Sequence, residues 1–161
     1  MPIFHAAVDD RTQSRRGKFC KSWPPQQQRQ EAHMIVQACI NGARPAGYHP
    51  NLPLTVDAMV RDGIASVEAG AAELQIHPRD HAGRESLAAV DDTIRAMRRA
   101  CPGTLIGVST GAWIEADAAT TRARIAAWRE PPDCASVNLS EPDAPAVMAL
   151  LDRIGVGIEA V

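Results

Sequence analysis

The sequence has no long apolar run, no excess of basic side chains and no apolar leader segment. No window approaches the roughly 18 consecutive apolar residues of a membrane span. With 161 residues and a net charge of −2, nothing in the chain favours nucleic acid as a partner. Because the start of the chain lacks the apolar middle of a signal peptide, we expect a cytoplasmic protein with no membrane partner.

Paired cysteines and nucleotide-binding motifs are also missing. The four cysteines form no CxxC pair, and most of them lie inside or beside apolar runs, which argues against a disulfide framework or a zinc knuckle. No GxGxxG motif or P-loop occurs, so nucleotide-binding open sheets lose their main sequence support. The chain is 45% hydrophobic, enough for an ordinary globular core.

The first 33 residues differ in composition from the rest. Residues 10–29 contain six basic side chains, a proline pair and a glutamine run, with few apolar residues and no period. Such a segment cannot bury enough surface to offset its ordering entropy. We expect residues 1–33 to be a disordered extension, with a basic targeting or anion-binding arm as the alternative, and residues 34–161 to be the folded domain.

From residue 34 onward, short apolar runs alternate with amphipathic segments. Thr55 is a predicted helix N-cap and Gly70 a predicted helix stop. Short strands that alternate with helices of ten or more residues are typical of parallel β/α units, in which helices cover the sheet. The predicted strands are 35–40, 74–77, 104–109, 134–139 and 156–161; the predicted helices are 55–69, 87–100, 117–128 and 144–153.

Polar side chains recur at the ends of the predicted strands. They are Asn41, His77, Ser109, Asn138 and Glu159. Only a closed ring directs every strand end to one centre, so the pattern favours a TIM-type (β/α)8 barrel over a doubly wound open sheet. Because such a barrel takes about 250 residues, we expect this chain to be truncated after about strand five.

Five motifs occur in order and with compatible spacing. They are 39–43 (CINGA), 49–55 (HPNLPLT), 69–80 (AGAAELQIHPRD), 107–111 (GVSTG) and 136–140 (SVNLS). Together they resemble the β-keto acid cleavage enzymes, the family of 3-keto-5-aminohexanoate cleavage enzyme. The resemblance implies a zinc-dependent (β/α)8 barrel and an acyltransferase that condenses a β-keto acid with acetyl-CoA and releases acetoacetate and a new acyl-CoA.

The resemblance also implies roles for single residues. His77 corresponds to a zinc ligand, and Gln75 stands where the family has a second histidine, so it is a weak replacement. The family's late glutamate ligand has no counterpart. Ser109 resembles the serine beside the reacting carbonyl, and Glu159 resembles the glutamate that handles protons.

The remaining matched positions support these residues. Arg79 and Asp80 resemble outer partners that orient His77 and pair with each other. The positions that correspond to substrate-binding residues are Asn41, Thr110, Asn138 and Ser140.

Other interpretations of the same residues stay open. Judged without the family, His77 is more often a satisfied strand-end histidine than a ligand, and Ser109 and Thr110 can simply form a turn. A second hypothesis is a catalytically impaired fragment that acts only by associating with another chain. A third and weaker one is a barrel-type metal hydrolase. We also expect a homo-oligomer, because five strands leave an open sheet edge.

Overall fold

Five strands and four helices alternate along the chain in the computed structural model, which describes residues 35–161. The predicted strand–helix alternation is confirmed, whereas the prediction for residues 1–33 lies outside the described residues. The strands are Gln37–Cys39 (β1), Glu73–Ile76 (β2), Leu105–Ser109 (β3), Cys134–Val137 (β4) and Gly157–Ala160 (β5). The helices are Val56–Glu68 (α1), Val90–Ala100 (α2), Ala118–Ala126 (α3) and Ala144–Arg153 (α4), with a 3-10 turn at Leu87–Ala89.

The helices begin where the sequence places capping residues. Thr55 caps α1, its side chain accepting a hydrogen bond from the Ala58 amide at 3.2 Å. Gly70, with a φ of 105°, takes the chain out of α1. The predicted helix 87–100 opens instead as a 3-10 turn, capped by the Ser86 side chain, before α2 starts. No helix within residues 35–161 has both the length and the apolar character needed to cross a membrane.

The strands form one parallel sheet in the order β1-β2-β3-β4-β5. Successive residues of a strand point to opposite faces of the sheet. The pairing register places residues that point to the same face next to one another on neighbouring strands. Leu74, Ile106 and their neighbours share one face, which we call the helix-covered face: Leu74, Ile76, Ile106, Val108, Ala135 and Val137. The other, the open face, presents Gln75, Gly107, Ser109, Cys134, Ser136 and Glu159.

The hydrophobic core lies entirely on the helix-covered face. Its strand residues are at most 1% exposed and belong to the same apolar cluster as Met59, Ile94, Ile125 and Leu151, one from each helix. All four helices therefore pack against one side of the sheet, which leaves the polar side chains of the other side free to form a site.

Candidate active site at the carboxyl ends of the strands

A pocket of about 310 Å³ lies on the open face, where the strands end. All five strands contribute to its walls, as do the segments after β2, β3, β4 and β5. Parallel strands end at the same edge of a sheet, so residues distant in sequence meet there. Five of the residues predicted from the sequence line this pocket: Gln75, His77, Ser109, Asn138 and Glu159.

Asn41 fixes the backbone of His77. Its Oδ1 accepts a hydrogen bond from the His77 amide, and its Nδ2 donates to the His77 carbonyl, both at 2.9 Å. Nδ2 also donates to the carbonyl of Pro53. Asn41 is 4% exposed and does not line the pocket. The structure thus gives it a positioning contact, and the substrate contact expected from the sequence stays a prediction.

The imidazole of His77 is held by Glu85, a residue that the sequence did not single out. Nδ1 of His77 forms a short hydrogen bond with Oε1 of Glu85. The second oxygen of Glu85 accepts a hydrogen bond from the indole Nε1 of Trp113 at 3.1 Å. One carboxylate therefore connects the imidazole to Trp113, which is itself a wall of the pocket.

The charge of Glu85 is kept by its neighbours. Burial raises the pKa of the Glu85 carboxyl. The hydrogen bond from His77, the charge that His77 carries when protonated, the hydrogen bond from Trp113 and the charge of Arg79 together outweigh burial, so the pKa is lowered. Glu85 is accordingly an ionised acceptor at neutral pH.

The expected pairing of Arg79 with Asp80 is wrong. The Arg79 guanidinium donates to the carbonyls of Gly42 and Arg44, at 2.5 and 3.1 Å, and ties the β1–α1 loop to the end of β2. Asp80 instead accepts hydrogen bonds from Arg84 and from the amide of Ala82. Among the described residues, neither side chain forms a hydrogen bond with the imidazole.

Gln75 is buried beneath the pocket floor with one polar atom unsatisfied. Its Nε2 donates to Oγ of Ser136 at 3.2 Å, whereas its Oε1 has no hydrogen-bond partner among the described residues. Space for the carboxamide exists because residue 107 is glycine, since a Cβ there would lie 2.2 Å from Gln75 Oε1. A polar side chain at position 75 thus depends on Gly107.

Ser109 and Thr110 have different surroundings although they are adjacent. Ser109 lines the pocket, and within the described part of the chain its Oγ accepts only a long hydrogen bond, 3.4 Å, from the Gly111 amide. Its hydroxyl proton is therefore available to a ligand. The Thr110 hydroxyl donates to the carbonyl of Ser136 at 2.8 Å and is 2% exposed. Thr110 connects the carboxyl end of β3 to β4 and does not line the pocket.

Asn138 and Ser140 form a local turn. Oδ1 of Asn138 accepts hydrogen bonds from the Ser140 amide at 3.1 Å and from the Ser140 hydroxyl at 2.8 Å. Asn138 lines the pocket, whereas Ser140 is exposed and lies outside it. Of this predicted pair, only Asn138 is placed to contact a ligand.

Glu159 lies across the open face from β1. Gln37 donates weak hydrogen bonds of 3.4 Å to Glu159 and to Glu73, and so connects the first strand with the fifth. Burial, followed by the negative charges of Glu159 and Glu73, raises the pKa of the Cys134 thiol. Cys134 therefore stays protonated, and Glu159 is the carboxylate of this group that lines the pocket.

A comparison with models of protein families shows which family the chain belongs to. The model described as beta-keto acid cleavage enzyme matches residues 33–149, which is most of the chain. The chain belongs to the beta-keto acid cleavage enzyme family. The matched range contains His77, Glu85, Ser109 and Asn138, while Glu159 lies beyond it and owes its place in the site to the pairing of β4 with β5.

Two curated relatives of the family match a shorter segment. A 3-keto-5-aminohexanoate cleavage enzyme from Acetoanaerobium sticklandii is 35% identical over 81 residues, and one from Fusobacterium nucleatum subsp. nucleatum is 32% identical over 81 residues. Each match covers 48% of this chain and 30% of the relative. The match therefore covers less than a third of these relatives' length.

The described residues provide few ligands for the zinc ion that the family resemblance implies. Within residues 35–161, no three His, Cys, Asp or Glu side chains lie close enough together to hold a metal. His77 has one ring nitrogen engaged by Glu85, and Gln75 offers only a neutral amide oxygen. These residues do not by themselves fit a zinc centre.

Several contributors to the site carried no signal in the sequence. Glu85 reaches His77 because the loop after β2 folds back, with Arg79 and Glu85 bridged antiparallel and Gly83 at a φ of 77°. Trp113 lies over Gly111, where a Cβ would come within 2.2 Å of the ring. The turn residues around position 83 predict a loop, but no pattern predicts which side chain it returns to His77.

Proposed function

We propose that this chain forms part of the active site of a β-keto acid cleavage enzyme. In the proposed reaction, a β-keto acid and acetyl-CoA exchange acyl groups to give acetoacetate and a new acyl-CoA. The observation that carries the proposal is that His77, Ser109 and Glu159 line one pocket on the open face. Family membership supports it for most of the chain.

The groups in the pocket suit the chemistry of this exchange. Forming the new carbon–carbon bond requires a base that moves a proton, and the Glu159 carboxylate can serve. Addition to a carbonyl creates an oxyanion, and the free hydroxyl proton of Ser109 can meet that charge. The Asn138 amide can position the substrate beside them. Each role is assigned to a side chain of the pocket.

We also propose that the sheet belongs to a TIM-type (β/α)8 barrel. Five parallel strands in consecutive order with all helices on one face are the arrangement found in such barrels, and the polar face would then line the barrel interior. The exposed apolar Leu105 on the open face, 50% exposed, is consistent with an interior position.

Zinc enters the proposal only as a weakly held ion. Nε2 of His77 and Oε1 of Gln75 are the atoms left to bind it, and an amide oxygen is a weaker zinc ligand than imidazole. No step of the reaction is derived from the metal.

Acetoacetate release tests the proposal directly. The 161-residue chain would be given acetyl-CoA and a series of β-keto acids, with and without added zinc, and acetoacetate and the new thioester would be quantified. Ser109→Ala is expected to lower the rate about a hundredfold, and Glu159→Gln by a similar factor. The exposed Glu68→Gln is the matched control and should leave the rate unchanged. No acetoacetate from any keto acid would contradict the proposal.

A second candidate function is supported by the edges of the sheet. Exposed apolar side chains lie next to both edge strands: Ile35 and Val36 before β1, and Ile158 and Val161 in or after β5. Unpaired edges with such neighbours favour association with another chain, including a second copy. In this alternative the chain acts only within that assembly. A soluble monomer in sedimentation would contradict it, whereas a dimer without acetoacetate release would favour it.

The expected cytoplasmic location and small-molecule partners stay predictions.

A further inference from the structure

The carboxylate of Glu85 is used by two walls of the pocket. Its Oε1 contacts Nδ1 of His77, and its Oε2 accepts from Nε1 of Trp113 at 3.1 Å. The side chains of Glu85 and His77 are only 9% and 13% exposed. Nothing in the family match or in the names of the relatives assigns a role to Glu85.

A neighbouring carboxylate shows what a purely structural role in this loop involves. Both oxygens of Asp80 serve the loop itself, accepting from the amides of Ala82 and Arg84 and from the Arg84 side chain. Glu85 makes no such bond to the loop through its side chain. Its two oxygens are directed instead to side chains that line the pocket.

A carboxylate that accepts from both neighbours restricts the imidazole. An ionised carboxylate has acceptors but no donor, so a neutral imidazole can bond to it only through a protonated nitrogen. The proton of neutral His77 must then reside on Nδ1, and Nε2 keeps a free lone pair. The tautomer is set by the partner of the other ring nitrogen.

We propose that Glu85 is a positioning residue that holds His77 as the Nδ1–H tautomer, presents the Nε2 lone pair to the pocket, and anchors Trp113 as the pocket wall. Nε2 then accepts a proton or a hydrogen bond, or binds a cation, but does not donate.

Trp113 gives the arrangement a second anchor. Its ring lies against Gly111, where the absence of a side chain leaves room for it. The ring is 57% exposed, so its position depends on this contact and on the hydrogen bond to Glu85. Releasing Glu85 is therefore expected to free both the imidazole and the indole.

The tautomer can be read without substrate, metal or activity. Long-range nitrogen–proton NMR of the 161-residue chain distinguishes protonated from unprotonated ring nitrogens, at a pH above the ordinary histidine value of about 6.5. The His77 signals are assigned by their loss in His77→Asn. We expect the Nε2 of His77 to resonate as an unprotonated nitrogen. In Glu85→Ala it is expected to shift toward the protonated position.

Two further variants sharpen this test. Trp113→Phe removes the indole donor but should leave the His77 tautomer as in the unaltered chain, while Glu68→Gln should change nothing. Circular dichroism establishes that each variant is folded. A protonated Nε2 in the unaltered chain, a ring protonated on both nitrogens throughout, or the same tautomer in a folded Glu85→Ala would overturn the proposal. The first two outcomes need no variant other than His77→Asn for the assignment, and all are independent of whether the proposed reaction occurs.

Discussion

The two faces of the sheet divide stability and chemistry between alternate residues of the same strands. On the helix-covered face, Leu74, Ile76 and Ile106 are fully buried against the helices. On the open face, Gln75, Ser109, Ser136 and Glu159 are polar and line the pocket. Adjacent positions of one strand thus have different roles. A substitution on the helix-covered face should change the free energy of unfolding, whereas one on the open face should change ligand affinity.

The open face also tolerates an imperfection that the helix-covered face would not. Oε1 of Gln75 is buried without a hydrogen-bond partner among the described residues. Such an orphan costs about 1–3 kcal/mol. A cost of this kind is typical of a site that is shaped for a ligand rather than for stability.

The largest predicted effect comes from a comparison of two adjacent residues of β3. Ile106→Ala should lower the free energy of unfolding by about 2–5 kcal/mol, because it leaves a cavity in the core. Leu105→Ala should lower it by less than about 1 kcal/mol, because Leu105 is half exposed on the open face. Urea unfolding of both variants measures the difference. Equal losses would mean that the open face is covered.

The fold was predictable because its signal is local. Apolar runs and capping residues such as Thr55 define each β/α unit, and their alternation implies a parallel sheet. Strand ends were predicted less well: β2 stops at Ile76, so His77 follows the strand, and β4 stops at Val137. The ends depend on pairing with neighbouring strands, which is not a local property.

The positions of the strand ends predict only part of the pocket lining, because Asn41 also ends a predicted strand but does not line the pocket, and Gln75 was expected from the family resemblance. Ser109, Asn138 and Glu159 follow from the strand pattern, and they line the pocket. Thr110 turns away from it, because its hydroxyl is taken by a backbone carbonyl. Glu85 could not be predicted, since it reaches His77 through the path of a loop.

A second prediction tests how tightly the helix-covered face is packed. Gly63 of α1 lies where a Cβ would be 2.4 Å from Met97 Cε and 3.3 Å from Leu74 Cδ1. A single methyl can be accommodated by moving the Met97 terminus, but Gly63→Val should destabilise the fold by about 1–3 kcal/mol. Ala65→Val, exposed on the same helix, should cost under about 0.7 kcal/mol through helix propensity alone. Similar thermal shifts in the two variants would argue against close α1–α2 packing.

A third prediction changes the open face without disturbing the core. Side chains at positions 75 and 77 share a face when the strand is extended, so Gln75→His adds a second imidazole beside His77. Zinc affinity measured by calorimetry should rise at least about tenfold, or about 1.4 kcal/mol. The gain should vanish in Gln75→His combined with His77→Ala. Equally tight zinc binding by the unaltered chain and by Gln75→His would refute the weak-site proposal.

The smallest predicted effect concerns Asp117, which belongs to neither face but caps a helix of the covered side. Its Oδ1 accepts from the Thr120 amide at 2.7 Å, and its Oδ2 accepts from the Thr120 hydroxyl at 3.1 Å. The backbone hydrogen bond from Thr120, followed by that of its hydroxyl, lowers the pKa of Asp117 below the ordinary 3.8. A lowered pKa means that the ionised cap stabilises the fold above the unfolded value, and that this contribution is lost as the pH falls through the folded value.

Asp117→Ala should therefore lower the melting temperature at neutral pH, and the difference from the unaltered chain should shrink below pH 3.8. Asp117→Asn keeps an oxygen acceptor but has no charge to lose. Its melting temperature at neutral pH should lie between those of Asp117→Ala and the unaltered chain, and its difference from Asp117→Ala should not change as the pH is lowered. Calorimetric scans across this acidic range measure both variants. A constant difference for Asp117→Ala would mean that the carboxylate charge adds nothing to the cap. The cap would then act through its hydrogen bonds with Thr120 alone.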